Sequence, residues 1–93
     1  MSAVAILVVT TSYVEALHDS KTREAKEVQA IKDYKTPTIL LFFDDLSESD
    51  IADAKKLFEG VVIKKEFLKV PKANFDVWLN ENLTAILAPD FSG

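Results

Sequence analysis

The chain has no cysteine, one histidine, one tryptophan and two glycines in 93 residues. Without cysteine there is no disulfide framework, no thiol nucleophile and no zinc–thiolate site, and a reducing, cytoplasmic setting is expected. The lone histidine, His18, excludes a histidine-rich metal centre and has no obvious partner in sequence, as expected of a solvated loop residue. With only Gly60 and Gly93, no glycine-rich phosphate loop can form. Charge of one sign is also short: 11 Lys and Arg against 15 Asp and Glu leave a net charge of −4. Lys64, Lys65, Lys69 and Lys72 gather locally, but no basic footprint for a phosphate backbone results, so no nucleic-acid partner is expected. The N-terminal apolar run "AVAILVV" has no basic residue before it and falls well short of the ~20 residues of a membrane span. No membrane partner is expected either.

What is present is an ordinary globular composition, 48% hydrophobic and 28% charged, in a length that suits a single domain spanning 1–93 with one modest core. "AVAILVVT" (3–10) lacks polar alternation, which predicts a strand covered on both faces. "TSYVEALHDS" (11–20) is a loop or a short helical piece followed by a break, with Asp19 and Ser20 as caps for the next helix. Residues 22–34 form that helix, whose apolar stripe is Ala25, Val28, Ile31 and Tyr34, with Ala30. "KTP" ends it, because the residue before proline resists the α conformation. "TILLFF" (38–43) is a second fully buried strand. Ser47 or Ser49 caps a helix over about 48–59, with Ile51, Ala54, Leu57 and Phe58 inward and Gly60 at its stop. "VVIKKEFLKV" (61–70) is a third strand whose charged centre suits an edge. After Pro71 a last helix carries Phe75, Trp78, Leu79, Leu83 and Ile86, and "APDFSG" is a tail.

This order, β-α-β-α-β-α, implies a short parallel sheet in a three-layer α/β fold, with right-handed crossovers, strand order 1-2-3 and helices on both faces. Strand 1, the most apolar, then lies at an edge, where an uncharged strand invites pairing with another chain. The expected answer is a homodimer, or a protein partner, held through Val4, Ile6 and Val8 and extending the sheet across a twofold axis. The alternative is that the chain is a fragment whose missing strand belongs there.

Helices of a parallel sheet begin at the carboxyl ends of the strands, where open α/β sheets bind ligands. Thr11, Ser12 and Tyr13, the helix acids Glu24 and Glu27, and Asp44 and Asp45 are expected to meet along that edge. Hydroxyls and carboxylates there could hold a ribose or act as an acid/base pair. Each also has a plain structural explanation. Acids in a first helical turn complement the macrodipole, "DDLSES" is a helix start, and adjacent aspartates in a loop are a sparse cation site. Trp78 belongs to the apolar stripe and to core packing.

Taken together, "AILVVTTSY", "KEVQAI" and "TPTILLFFDD", continuing through "DIADAKKLFEGVVIKKEF", resemble the C-terminal part of a Toll/interleukin-1 receptor (TIR) domain and its nucleoside deoxyribosyltransferase-like relatives. The resemblance spans most of the chain and implies a flavodoxin/TIR-like half-domain. In TIR domains that cleave NAD, a helix glutamate contacts the nicotinamide ribose. The resemblance places Glu27 in that role, with Glu24 as fallback. Arg23 stands where the family often carries an aromatic residue. The family's earlier strands and the long loop that walls its nucleotide pocket have no counterpart before residue 3, and a carboxylate without its pocket forfeits the positioning that makes it catalytic. The first expectation is therefore an interaction or self-association module with an incomplete nucleotide pocket and no cofactor or metal. The second is an N-glycosidase acting on NAD or a nucleotide through Glu27, its site composite across a dimer. The third, a receiver-like or cation-binding domain using Asp44 and Asp45, ranks lowest, because a receiver also needs acids where this chain has "TTSY".

Overall fold

The computed structural model describes residues 4–88. Ala3, assigned to the opening strand, and all of the tail except Ala88 lie outside the described residues. The elements are β1 (Ala5–Val9), α1 (Thr11–Leu17), α2 (Arg23–Tyr34), β2 (Thr38–Phe43), α3 (Glu48–Leu57), β3 (Ile63–Val70) and α4 (Phe75–Leu87). The three strands are all parallel in the order β1-β2-β3, as the alternation of elements implies.

Both crossovers step across the sheet in the same direction, and right-handed connections then put their helices on one face. The core divides accordingly. Leu7, Val9, Leu40 and Phe42 meet Val14 and Leu17 of α1, Val28 of α2, and Ala54 and Phe58 of α3. Ile39, Leu41 and Phe43 point the other way, toward Ile86, Phe75, Trp78 and Leu79 of α4. Every residue of β2 is buried, because this central strand alone has helices over both faces and strands on both sides. Burying each of its large side chains contributes about 1.5–3 kcal/mol relative to exposure.

The helices start where side chains can satisfy their first N–H groups. Thr10 accepts from the Tyr13 amide at 3.0 Å and Thr22 from the Ala25 amide at 3.2 Å. Ser47 and Asp50 form a reciprocal capping box at α3. Thr22, not Asp19 or Ser20, therefore caps α2. Asp19 instead organises the turn before it, accepting from the amides of Lys21 and Thr22. The stretch 11–17 is a true helix. Lys35 ends α2 in the left-handed conformation, φ 53°.

Three packing expectations are corrected. Tyr34 is 82% exposed and Ala30 is also exposed. A three-residue step lags the 3.6-residue turn by about 60°, so Ala25, Val28, Ile31 and Tyr34 wind halfway round α2, and Tyr34 leaves the core. Leu83 of α4 is 42% exposed, flanking the line of buried Ile86 and partly buried Phe75 and Leu79. Strand β1 is not covered on both faces: Leu7 and Val9 are buried, whereas Val4 and Ile6 are 37% and 41% exposed. The one helix on their face among the described residues, α4, sits over β2 and β3, packing Phe75 on Phe43 and Trp78 on Phe67.

The two sheet edges differ. Strand β3 carries Lys64, Lys65 and Glu66, and its pairing with β2 is broken by register shifts, with Lys69 at φ 57°. Charge and irregularity are the usual means of blunting an edge. Strand β1 pairs with β2 in unbroken register from Ala5↔Thr38 to Val9↔Phe42 and carries no charge.

Candidate functional site

The carboxyl ends of the strands hold the residues singled out in the sequence, in two separate groups. At the end of β1, Thr11 and Ser12 are exposed in the first turn of α1, while Tyr13 turns inward with its ring 6.5 Å from that of Phe58. The Tyr13 hydroxyl is buried and, among the described residues, has no hydrogen-bond partner. Burial, then the neighbouring carboxylates of Glu27 and Glu24, push its pKa up to about 12. All three act in one direction, since each disfavours the phenolate. The structure thus brings Tyr13, Glu24 and Glu27 together. The Arg23 guanidinium lies 3.9 Å from both glutamates, at the limit of ion pairing and largely in solvent.

Asp44 and Asp45 belong to the other group. The Asp44 amide donates to the Val70 carbonyl at 2.8 Å, and its carboxylate accepts from the Lys72 amide at 3.4 Å. Asp45 accepts from Lys72 Nζ at 3.1 Å. The aspartates thereby anchor the turn between β3 and α4 to the end of β2, and the charge beside them is an ammonium. Among the described residues there is no group of three His, Cys, Asp or Glu side chains placed to hold a metal ion.

His18 is not an isolated loop residue. Its Nε2 lies 2.5 Å from Asp53 Oδ2, joining the C-cap of α1 to α3. Thirty-five positions separate the pair in sequence, so nothing short of the fold could reveal it.

The open edge of β1 is the third locus. The Ala5 amide donates to the Pro37 carbonyl at 3.0 Å. Alternate residues of a strand address the same neighbour, so Ala5, Leu7 and Val9 bond to β2, while Ile6 and Val8 turn their N–H and C=O groups outward. The same two residues place their side chains on the α4 face, where Ile6 is exposed and Val8 packs partly against the second core cluster. Trp78 occupies the α4 flank toward β3, so Leu83 and Leu87, roughly half a turn round and 42% and 57% exposed, lie on the flank toward β1. Among the described residues, a strand edge with free hydrogen-bonding groups therefore lies on the same side of the sheet as this apolar strip. Sequence reasoning found Val4, Ile6 and Val8 but missed Leu83 and Leu87, which it assigned to the core or left unassigned.

Among the described residues no helix is long and apolar enough to cross a membrane. Compared with family models, curated proteins and solved structures, the chain matches none.

Proposed function

We propose that the chain is a small TIR-like interaction module that self-associates through β1. The observation that carries this reading is that, among the described residues, Ile6 and Val8 turn unpaired backbone groups outward while the Ile6 side chain is exposed and that of Val8 only partly covered, beside Val4, Leu83 and Leu87. A second copy is the partner that the two edges favour. The charges on β3 oppose head-to-tail pairing of β1 with β3, which would propagate as an open fibre. Pairing β1 with β1 about a twofold axis closes after two protomers and gives one continuous sheet flanked by both α4 helices. The strip offers only a handful of exposed apolar side chains, against the roughly 20–30 residues a side of a standard interface, so the dimer is expected to dissociate on dilution.

Light scattering over a concentration series tests this. The wild-type chain shifts from monomer to dimer mass, and Ile6→Lys stays monomeric with an unchanged circular dichroism spectrum. A wild-type chain that remains monomeric at the highest attainable concentration overturns the proposal.

A second reading, an N-glycosidase acting on NAD, draws on the grouping of Glu24 and Glu27 around Tyr13 at the carboxyl end of β1. Glu27 would activate the ribose from a half-exposed position. Nicotinamide release by the wild type and its loss in Glu27→Gln support this reading. Absent release, or equal release by the variant, ends it.

A further inference from the structure

The helix face opposite α4 carries a groove that neither the dimer edge nor the carboxyl-end residues use. Helix α1 packs against both α2 and α3 and holds them apart. Beside its last turn a half-open cavity of about 270 Å³ remains, floored by Leu17, Val28 and Leu57 and rimmed by Lys26, Gln29 and Lys32. Leu17 and Val28 are core residues, so the floor is part of the packed interior.

The rim is not electrically neutral. Among the described residues neither Lys26 nor Lys32 has a carboxylate within 4 Å. Asp33, the neighbour of Lys32 in sequence, already accepts from the Gln29 amide at 2.9 Å, and Glu27, the neighbour of Lys26, lies 3.9 Å from the Arg23 guanidinium. At about 100° per residue, Glu24 and Glu27 fall on the opposite side of Val28 from Gln29 and Lys32, beside Arg23 and Tyr13. Helix α2 thus turns Glu24 and Glu27 away from the groove, and the one acid on the groove flank, Asp33, is engaged by Gln29 rather than by a lysine. The Lys32 stem runs beside Gly60, whose position would bring an added Cβ within 3.8 Å of Lys32 Cδ. A lysine whose methylenes lie along the protein while its ammonium stays at the surface is poised to meet an anion there.

We propose that this groove binds a single-chain anionic amphiphile, an alkyl carboxylate with its tail on Leu17, Val28 and Leu57 and its carboxylate between Lys26 and Lys32. The groove is small and open to solvent, which suits one short alkyl chain such as that of octanoate rather than the two long chains of a membrane lipid. The two uncompensated ammonium groups select an anion over an amine or an alcohol. The proposal is independent of the β1 dimer, which lies on another face.

The test is an amide-resolved NMR titration of the full chain with sodium octanoate, and with octylammonium chloride as the charge-reversed control. Saturable shifts centred on Leu17, Val28 and Leu57 are expected with octanoate, and binding about tenfold weaker or more in Lys26→Glu/Lys32→Glu. Leu57→Phe, which fills the cavity and leaves every charge in place, should abolish the shifts and guards against a charge-reversed variant that fails to fold. Octanoate shifts that are absent, never saturate, centre elsewhere or survive Leu57→Phe overturn the proposal, as does octylammonium binding equally well.

Discussion

Lys65 Nζ donates to the Ala85 carbonyl at 2.8 Å, and to that of Ala88 at the same distance, so a charged residue of the edge strand β3 closes the carboxyl end of α4. Helix α4 needs this contact. It has no basic residue in its last turn, and its N-cap, Asn74, makes no side-chain hydrogen bond. A cation at a helix C-terminus satisfies orphan carbonyls and complements the macrodipole. The lysines gathered in this stretch of sequence therefore divide by role: Lys65 holds α4, Lys72 holds Asp45, and Lys64 faces solvent.

Replacing Lys65 with Met keeps the stem and removes the donor. The expected loss is about 1 kcal/mol, the usual net worth of such hydrogen bonds. It should appear as a lower urea midpoint and as faster amide exchange confined to the end of α4. An unchanged midpoint together with unchanged exchange would refute the assigned role.

Tyr13 makes the stability of the protein sensitive to alkali. In the unfolded chain its phenol ionises near 10, whereas in the fold it holds its proton up to about 12. Between these values the unfolded state has lost a proton that the native state retains, so stability falls as pH rises. It is fully present below pH 10 and is lost progressively up to about 12. In a Tyr34→Phe background, which leaves one phenol, ultraviolet titration should place the Tyr13 transition near 12. Glu27→Gln should lower it. Tyr13→Phe also removes a buried hydroxyl without a partner among the described residues, and is expected to leave stability unchanged or raise it by about 1 kcal/mol at neutral pH.

The pair His18–Asp53 joins α1 to α3 but lies near the surface, with side chains 54% and 40% exposed. Exposed pairs are worth little. A double-mutant cycle with His18→Gln and Asp53→Asn should return a coupling of at most about 1 kcal/mol. A markedly larger coupling would mean that the pair, rather than the apolar contacts of Val14 and Leu17, docks α1.

The charges on β3 should be protective. Replacing Lys64 and Glu66 together with Val leaves the strand pattern intact and removes the cost of burying charge, including the Glu66 carboxylate now paired with Lys55, that opposes pairing of β3 with the uncharged β1. The double variant is expected to form species larger than a dimer, growing with concentration in light scattering. Adding Ile6→Lys should suppress them. Growth that persists with Ile6→Lys would place the contact elsewhere.

Much of the candidate site was legible residue by residue and little of it as geometry. Glu24, Glu27 and Tyr13 were all identified, yet that Tyr13 turns inward beside the two acids depends on how α1 folds back on α2. Asp44 and Asp45 were expected on the same edge, but strand order carries them to the β3 side, where Lys72 meets them. The exposure of Tyr34 was implicit in its spacing, since three-residue steps drift around a helix, and the exposure of Leu83 depended on which way α4 settles across the sheet.

The order of apolar runs, helical stretches and turn residues determined by itself the parallel α/β sheet, its 1-2-3 order and the edge position of β1. These follow from local periodicity and from the handedness of crossovers, and both are written in neighbouring residues. Tertiary structure alone decided that the second face of the sheet has one helix among the described residues, that this helix covers β2 and β3 and leaves Ile6 open, and that Lys65, Lys72 and His18 find partners far along the chain. Such contacts arise because side chains distant in sequence compete for the same buried surface and the same unpaired polar groups. Only the folded chain brings the competitors together.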